Sequence, residues 1–296
     1  MSRGRPEKGE NVKPEGDRIR KSGSKIPEKK HFRKPSPSDT LSSGNEESAD
    51  RLEGRNPVLE ALRSGRQIHK LWILKQDAAA KDAVLSRIFS LAKSQKIPIV
   101  EVHRNVLEQM SRTHGHQGVI AAVASHDYTE LDEVLRSVEN AGEIPFLLML
   151  DGLKDGYNLG SILRIADAGG VHGVILSKHR SVGLDSLVAK ASAGAIEYVP
   201  AIRETNLSQT ILSLKKRGFW VAGTDADGQT DYRSADYSGP LLLVIGGEGE
   251  GITKAVKEKC DFLLNIPMHG AVNSLNAAVA AGIIVFEAQA KRGGRV

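Results

Sequence analysis

The sequence contains a single cysteine, Cys260, so no disulfide can form within the chain. Sparse cysteine is typical of proteins that stay in a reducing compartment. The sequence also lacks any apolar run near the roughly 20 residues that a helix needs to cross a bilayer. Its N-terminus is charged and has no apolar signal core. These absences predict a soluble, cytoplasmic protein with no membrane partner.

The signatures of several common site chemistries are missing as well. No G-x-x-x-x-G-K-[ST] segment occurs, and no G-x-G-x-x-G follows the first strand pattern of the C-terminal half. His114 and His116 lie close together but lack a clear third ligand, so we expect turn or surface histidines and no metal site. No Ser-His-Asp or Cys-His arrangement indicates nucleophilic catalysis.

Charge is present but unevenly distributed. The 296 residues carry a formal net charge of +5 and give a pI of about 9.2, which suits an anionic partner. Residues 1–34 hold 12 Lys or Arg against 5 Asp or Glu, whereas residues 35–50 hold 4 acidic and no basic residues. Because residues 1–50 also have few large apolar side chains, they are predicted to be a disordered charged tail. This tail is either a solubilising segment or a basic arm that adds nonspecific phosphate contacts.

Helix and strand patterns begin to alternate near residue 51. In GRNPVLEALRSGR, Asn56 can cap a helix, and Gly65 can end it. The strand patterns IHKLWILK, IPIVEV and GVIAAVAS follow with two further helical patterns, which predicts an α/β domain over residues 51–125. A charged stretch, residues 126–144, is predicted to be a linker and contains a helical pattern, LDEVLRSVEN.

Residues 145–296 are predicted to form a second α/β domain. Its strand patterns are FLLML, GVILS, IEYVP, FWVAGT, LLLVIG and FLLNIP, and helical patterns lie between most of them. The last helix is expected from about Ser274. Apolar strands that alternate with helices predict a mainly parallel sheet covered on both faces.

Three polar, glycine-rich segments follow strand patterns of this second domain. They are DGLKDGYNLGSILRIADAGG (151–170), GGEGEG (246–251) and PMHGAVNSLNAAVAAG (267–282). Ligands of such sheets bind at the carboxyl ends of the strands, so we expect the functional site there. Glu248 and Glu250 would repel a phosphate, which favours a ligand that is neutral or cationic near this loop. A tight turn whose glycines adopt positive φ is the simpler alternative for that segment.

In order and spacing, these segments resemble the three motifs of the SpoU/TrmH family of RNA ribose 2′-O-methyltransferases. The first motif is matched by Asp151, by Asn158-Leu159-Gly160 and by Arg164. LLLVIGGEGEGI matches the second motif, and IPMHGAVNSLNAAVA matches the third. The resemblance spans about residues 51–290 and includes a substrate-binding domain similar to ribosomal protein L30e, with its HQGV element. One departure is Asp155-Gly156, where the family usually has Asp-Pro.

The resemblance implies a fold and a cofactor. The fold is an L30e-like N-terminal domain followed by an α/β methyltransferase domain with a trefoil knot, a feature that general topology rules make rare. The implied cofactor is S-adenosylmethionine, and the implied assembly is a homodimer through the knotted domain. Backbone groups of Gly246, Ile266 and Leu275 match positions that line the cofactor pocket, while Gly247 and Gly251 permit close approach of the chain. Core packing of Ile266 and Leu275 is compatible with this role.

The resemblance also implies a catalytic set. Arg164 matches the catalytic arginine, which we expect to position a target phosphate and to stabilise a developing alkoxide. Asn158, Glu248, Ser274 and Asn276 match the other active-site positions. Asn158 can also cap its helix, and Ser274 can cap the last helix, so these alternatives stay open. No residue is singled out as the general base.

Within the family, the likeness is greatest to enzymes that methylate a guanosine ribose of large-subunit (23S) ribosomal RNA. A transfer RNA or another ribosomal site is the alternative target, and a non-catalytic RNA-binding protein is the alternative class. Basic side chains of the N-terminal domain are expected to contact RNA or to form a solvated charged face. These are Arg55, Arg66, Lys70, Arg104, Arg112, His114 and His116.

Overall fold

The computed structural model describes residues 50–75, 82–179, 181–271 and 274–293. The predicted charged tail therefore lies outside the described residues, apart from Asp50. The described chain forms two sheets with helices packed against them, which confirms the predicted α/β class. None of the described helices is long and apolar enough to span a membrane.

The first sheet has four strands in the order β1-β4-β2-β3, with β2 and β3 parallel and the other pairs antiparallel. Its strands are β1 (Asp50–Glu53), β2 (Ile68–Leu74), β3 (Ile99–Val102) and β4 (Val119–Val123). Its helices are α1 (Arg55–Ser64), α2 (Ala83–Ser94) and α3 (Arg104–Met110).

Helix α1 shows where local sequence signals succeed and fail. Gly65 ends it in the left-handed conformation (φ +79°), as predicted. Asn56 is not its cap, because the helix begins one residue earlier, at Arg55, with Gly54 in the cap position. The φ of Gly54 is +105°, a conformation that only glycine adopts readily, so the chain turns there before Asn56 is reached.

Helix α4 (Leu131–Asn140) lies in the stretch predicted to be a linker. Its helical character is as predicted, and Val134 and Val138 are buried against strands of the second sheet. The boundaries of the two predicted domains remain predictions.

The second sheet has seven strands in the order β7-β6-β5-β10-β8-β11-β9, and all six neighbouring pairs are parallel. Its strands are β5 (Phe146–Asp151), β6 (Gly173–Ser177), β7 (Ala201–Glu204), β8 (Trp220–Thr224), β9 (Thr230–Asp231), β10 (Leu241–Gly246) and β11 (Phe262–Asn265). Its helices are α5 (Gly156–Ala168), α6 (Ser186–Ala191), α7 (Leu207–Lys216), α8 (Lys254–Lys257) and α9 (Ala277–Lys291).

Both faces of this sheet are buried. Leu148 and Leu243 pack in a cluster with side chains of α5, α6 and α9, while their neighbours Leu147 and Leu242 pack with α4, α7 and α8. Burial on both faces explains why FLLML and LLLVIG are apolar without alternation. The trefoil knot stays an expectation from the family, because the loop from β11 to α9 includes residues 272–273, which are not described.

The prediction of a strand at IEYVP is wrong. Residues Ala195–Glu197 form a short 3-10 helix, and β7 begins only at Ala201. The Glu197 carboxylate pairs with Arg66 (2.8 Å), and the Tyr198 hydroxyl donates to Glu60 (2.6 Å). This segment therefore lies against the first domain, a long-range contact that local periodicity does not record.

Candidate active site at the carboxyl edge of the second sheet

The first two motifs meet where β5 and β10 end. The two strands are parallel neighbours, with Gly246 opposite Asp151. The Asp151 side chain is buried and accepts hydrogen bonds from the backbone nitrogen (2.7 Å) and the hydroxyl (2.6 Å) of Thr253. The backbone nitrogen of Gly247 donates to the Asp151 carbonyl (2.8 Å). The strand end of the first motif thus fixes both ends of the acidic loop, residues 246–251.

Glycines of the acidic loop have two different physical roles. A Cβ on Gly246 would lie 2.7 Å from the Cα of Gly251, and one on Gly247 would lie 2.8 Å from the carbonyl carbon of Gly152. These two positions therefore need glycine for backbone packing. Gly251 has open space around it but a φ of +65°. Its own requirement for glycine is conformational, and its backbone is the one that Gly246 approaches closely.

Helix α5 carries the remaining residues of the first motif. Asp155 caps it by accepting from the backbone nitrogen of Asn158 (2.7 Å), so Asn158 is not the cap. Gly160 packs against α6, since a Cβ there would lie 2.8 Å from the backbone nitrogen of Ser192. Gly156, which replaces the family's usual proline, is buried with its Cα facing Leu187. Asn158 and Gly160 are thereby held in fixed positions.

Three side chains from the three motifs form one hydrogen-bonded chain. The Asn158 amide nitrogen donates to the Glu248 carboxylate, and the Asn276 amide nitrogen donates to the Asn158 amide oxygen (2.9 Å). The Asn276 oxygen accepts from the backbone nitrogens of Ala278 (2.9 Å) and Val279 (3.2 Å). Asn276 is therefore the cap of α9, and the helix begins at Ala277 rather than near Ser274.

Arg164 and Ser274 are not part of the hydrogen-bonded chain Glu248–Asn158–Asn276. Arg164 is exposed on α5 and Ser274 is exposed just before α9. Among the residues that the structure describes, neither side chain has a hydrogen bond or an ion pair. Both are available to a ligand, a substrate or another protein chain.

The predicted cofactor positions Gly246 and Ile266 lie at the ends of β10 and β11, and Leu275 lies just before α9. Ile266 directly follows β11, is half-buried and packs against the main core. Leu275 is 38% exposed, so core packing is not its role within the described chain. The side-chain oxygen of Asn265 is buried and has no hydrogen-bond partner in the described residues. An unsatisfied buried acceptor is unfavourable, so this edge fits a ligand with a hydrogen-bond donor.

A cavity of about 410 Å³ adjoins Glu248 on the side of β6 and β7. Asp151, Lys154, His179, Asn206 and Glu250 supply polar side chains to its wall. Its size suits a small polar group such as a nucleotide.

Both halves of the chain match known protein families. Residues 145–286 match the SpoU rRNA Methylase family, and residues 51–129 match a family described as RNA 2′-O ribose methyltransferase substrate binding. The Bacillus subtilis (strain 168) protein YacO, assigned to the TrmH family of tRNA/rRNA methyltransferases, is 49% identical over 243 residues. That alignment covers 82% of this chain and 96% of YacO. The chain belongs to the SpoU/TrmH family of RNA methyltransferases.

Solved structures agree with this membership. The SpoU methyltransferase AviRb from Streptomyces viridochromogenes, crystallised with AdoMet, is 27% identical with a TM-score of 0.67, over 84% of this chain and 92% of AviRb. An rRNA methyltransferase from Sinorhizobium meliloti is 27% identical with a TM-score of 0.66, over 82% of this chain and 87% of that protein. The resemblance predicted from the three motifs is confirmed.

Two basic residues expected at the RNA surface of this SpoU/TrmH chain have structural roles instead. The Arg66 guanidinium donates to Glu197 (2.8 Å) and to the Ala124 carbonyl (2.7 Å), and its side chain is only 10% exposed. His116 is buried, and its Nδ1 accepts from the backbone nitrogen of Gly118 (3.0 Å). Burial leaves little of either side chain available to RNA.

The other basic residues are exposed or partly exposed. Arg55 is partly exposed but already pairs with Asp82 (2.8 Å) and donates to the Gln117 carbonyl (3.0 Å). Lys70 lies over the ring of Trp72, 4.9 Å from its centroid. Arg104, Arg112 and His114 are exposed. In this SpoU/TrmH chain, Arg112 and His114 lie on one loop, residues 111–118, which we call the basic loop.

Glu53 is a buried carboxylate beneath the basic loop that sequence analysis did not single out. It ends β1, is fully buried, and accepts hydrogen bonds from the Ser111 hydroxyl (2.7 Å) and the Arg112 backbone nitrogen (2.6 Å). Thr113 adds bonds from its backbone nitrogen (3.2 Å) and its hydroxyl. Burial alone would raise the pKa of Glu53, but these hydrogen bonds outweigh it, so the pKa lies below its usual range. The strand it ends, Asp50–Glu53, is mostly charged, so its sequence carries no pattern that marks Glu53 as buried.

Proposed function

We propose that this chain transfers a methyl group from S-adenosylmethionine to the ribose 2′-hydroxyl of a guanosine in 23S ribosomal RNA. The observation that carries the proposal is the hydrogen-bonded chain Glu248–Asn158–Asn276, which joins the three motifs at one edge of the sheet. A ribosomal target is supported by the description of the matched family and by the likeness to the S. meliloti enzyme. Because YacO is assigned as a TrmH family tRNA/rRNA methyltransferase, transfer RNA is the second candidate.

We place the cofactor at the ends of β8, β10 and β11. Support comes from AviRb, which was crystallised with AdoMet, and from the unpaired Asn265 oxygen, which suits an adenine amino group or a ribose hydroxyl. Gly246, Ile266 and Leu275 would hold the nucleoside through their backbone groups. Gly247 and Gly251 shape the loop around it. When bound, S-adenosylmethionine supplies an electrophilic methyl group on a cationic sulfonium, which the nearby carboxylates of the acidic loop favour.

The target ribose is proposed to lie between Glu248 and Arg164. Its 2′-oxygen forms a bond to the methyl carbon as the carbon–sulfur bond breaks, and the hydroxyl proton leaves to water or a nearby acceptor. Arg164 would bind the target phosphate and stabilise negative charge developing on the oxygen, since its own pKa makes it a poor base. Asn158 and Asn276 keep Glu248 oriented, and Ser274 offers a hydroxyl to the nucleotide.

We propose a homodimer as the active assembly. Val279 and Phe286 are seven residues apart on one face of α9 and are 51% and 46% exposed. The opposite face of α9 packs on α5, so this apolar face is suited to a second copy of the chain. Substitution Phe286→Glu should shift the protein from dimer to monomer in sedimentation. An unchanged sedimentation coefficient would contradict this interface.

Methyl transfer from labelled S-adenosylmethionine to unmodified ribosomal and transfer RNA tests the proposed reaction and target. We expect label in 23S ribosomal RNA, and mapping should place it on a guanosine 2′-oxygen. Label confined to transfer RNA would overturn the target, and label on a base would overturn the reaction.

Substitution Arg164→Ala tests the catalytic assignment. We expect kcat to fall about 100-fold or more while S-adenosylmethionine affinity stays within about twofold. Arg136→Ala, which removes an exposed arginine from α4 on the other face of the sheet, is the matched control. Near-normal turnover by a folded Arg164→Ala protein would remove Arg164 from the mechanism.

A further inference from the structure

The basic loop has a backbone that must be held in place. His114 and Gln117 both adopt left-handed conformations, with φ of +52° and +50°, and Gly118 has a φ of +88°. Residues other than glycine rarely adopt this region without support from the surrounding structure. The exposed side chains of Arg112 and His114 project from this backbone. Their positions therefore depend on what fixes the loop.

Glu53 fixes the loop from below. It accepts from the Ser111 hydroxyl, from the backbone nitrogens of Arg112 and Thr113, and from the Thr113 hydroxyl. A buried carboxylate needs such partners, because leaving it unpaired is strongly unfavourable. Three consecutive residues of the loop are thus bound to one rigid strand end, and the only charges the loop presents to solvent are basic.

Lys190 fixes the same loop from the methyltransferase side. Its ammonium donates to the Thr113 hydroxyl (2.7 Å) and more weakly to the Thr113 carbonyl (3.4 Å). A Cβ on Gly115 would lie 3.0 Å from the Cε of Lys190 and still closer to its ammonium. Glycine at position 115 therefore lets the lysine lie against the loop. The Thr113 hydroxyl donates to Glu53 and accepts from Lys190, so one atom joins both anchors.

Lys190 lies in a helix, α6, that packs on α5. Lys190 belongs to α6, and the residues that follow it, Ala191 and Ser192, pack directly on Gly160 of α5. Helix α5 carries Asn158 and Arg164. Two contacts, Lys190 on Thr113 and Ser192 on Gly160, therefore link the basic loop to the helix that carries the proposed reacting groups.

We propose that the basic loop binds the phosphate backbone of the RNA substrate, and that Glu53 and Lys190 are positioning residues for it. Glu53 sets the loop's shape, and Lys190 sets its position relative to α5. The inference rests on the proposed function only for the identity of the substrate. Basic side chains on a loop of fixed shape suit a regularly spaced anionic partner, and such contacts weaken as salt is added.

Binding of 23S ribosomal RNA transcript, measured by fluorescence anisotropy without cofactor, tests the loop. We expect Arg112→Ala, Glu53→Gln and Lys190→Met each to raise the RNA Kd about tenfold, with S-adenosylmethionine affinity unchanged. The matched controls are Glu101→Gln, an exposed carboxylate of β3, and Lys216→Met, an exposed lysine of α7. Both should leave the RNA Kd within about twofold.

A double-mutant cycle separates positioning from general destabilisation. If Glu53 acts through the loop, adding Arg112→Ala to Glu53→Gln should raise the Kd much less than Arg112→Ala does alone. Fully additive effects would overturn the positioning role. If Glu53→Gln does not fold, Thr113→Val removes the shared hydroxyl and replaces it in the cycle.

The proposal and the proposed function can fail independently. If wild-type protein methylates RNA but Arg112→Ala and Lys190→Met bind it normally, the basic loop is not the docking site. If wild-type protein binds the transcript through the loop but transfers no methyl group to any RNA, the proposed function fails and the loop assignment stands.

Discussion

Glu53 and Asp151 are buried carboxylates that each end a strand and each bind a threonine through both its backbone nitrogen and its hydroxyl. They differ in how much of the attached loop they hold. Glu53 contacts three consecutive residues of the basic loop, whereas the Asp151 side chain contacts only Thr253. The acidic loop is held in addition by backbone packing at Gly246 and Gly247.

This difference separates two ways of fixing a functional loop. The basic loop of the substrate-binding half depends on the charge of one side chain. The acidic loop of the methyltransferase half depends on the absence of side chains. We therefore expect the basic loop to be sensitive to protonation and the acidic loop to be sensitive to volume.

The largest expected effect on ligand binding is that of Gly246→Ala. The added methyl group would overlap the backbone of Gly251 and Ile252, so the acidic loop must move. We expect S-adenosylmethionine affinity to fall at least about 100-fold, equivalent to about 2.7 kcal/mol, in a calorimetric titration. Gly239→Ala is the control, since its Cβ would meet Trp220 at an ordinary 3.7 Å. Normal cofactor binding by Gly246→Ala would show that the acidic loop is not sensitive to side-chain volume.

Removing the two carboxylates in turn tests whether the loops are independent. Glu53→Ala leaves several buried donors unpaired and should reduce the free energy of unfolding by about 3 kcal/mol, and Asp151→Ala by about 2 kcal/mol. Urea denaturation measures both. Glu53→Ala should weaken RNA binding alone, and Asp151→Ala should weaken cofactor binding alone. A variant that impairs both ligands equally would show that the loops are coupled.

The pH dependence of stability that Glu53 causes is expected to be a smaller effect than removal of either carboxylate. Because hydrogen bonds hold the pKa of Glu53 below its usual range, the ionised form stabilises the fold above the unfolded-state pKa of about 4.3. This contribution is lost as pH falls through the folded-state pKa. The stability difference between wild type and Glu53→Gln should therefore be largest near pH 7 and narrow below about pH 4. A difference that stays constant from pH 7 to pH 3 would contradict this.

The smallest stability effect is expected at the cap of α9. Asn276→Ala should lower the free energy of unfolding by about 1 kcal/mol, whereas Asn276→Asp keeps the capping oxygen and should change it by only a few tenths. Both substitutions remove the donor to Asn158, so both should reduce methyl transfer severalfold. Full activity in Asn276→Asp would show that the amide nitrogen is dispensable.

Sequence analysis predicted the regular elements and the meeting of the three motifs well. Strands such as FLLML are buried on both faces, so their prediction needed only local information. The meeting of the three motifs was expected from the family resemblance and from the common carboxyl edge of parallel strands. The failures involve long-range partners. Arg66 was expected at the surface, but it pairs with Glu197, which is distant in sequence. The IEYVP pattern predicted a strand, but this segment packs against the first domain and forms a 3-10 helix.

The capping errors have a related cause. Asn56, Asn158 and Ser274 are all chemically suited to cap a helix, but Gly54, Asp155 and Asn276 occupy the cap positions. Several residues that could cap a helix lie near each helix start, and the backbone conformation determines which of them occupies the cap position. For Asn158, displacement from the cap is what frees its amide to bridge Glu248 and Asn276.

The bridge from Asn276 to Glu248 also has a direction. The Asn276 oxygen is occupied by the first turn of α9, so its nitrogen must face Asn158, whose own nitrogen must then face Glu248. The orientation of the carboxylate is thus dictated by a helix near the end of the described chain. During translation, every strand of the second sheet is made before this helix, so a nascent chain has no ordered site until synthesis has passed Val279. The proposed methylating activity therefore depends on a helix that is made after every strand of the sheet.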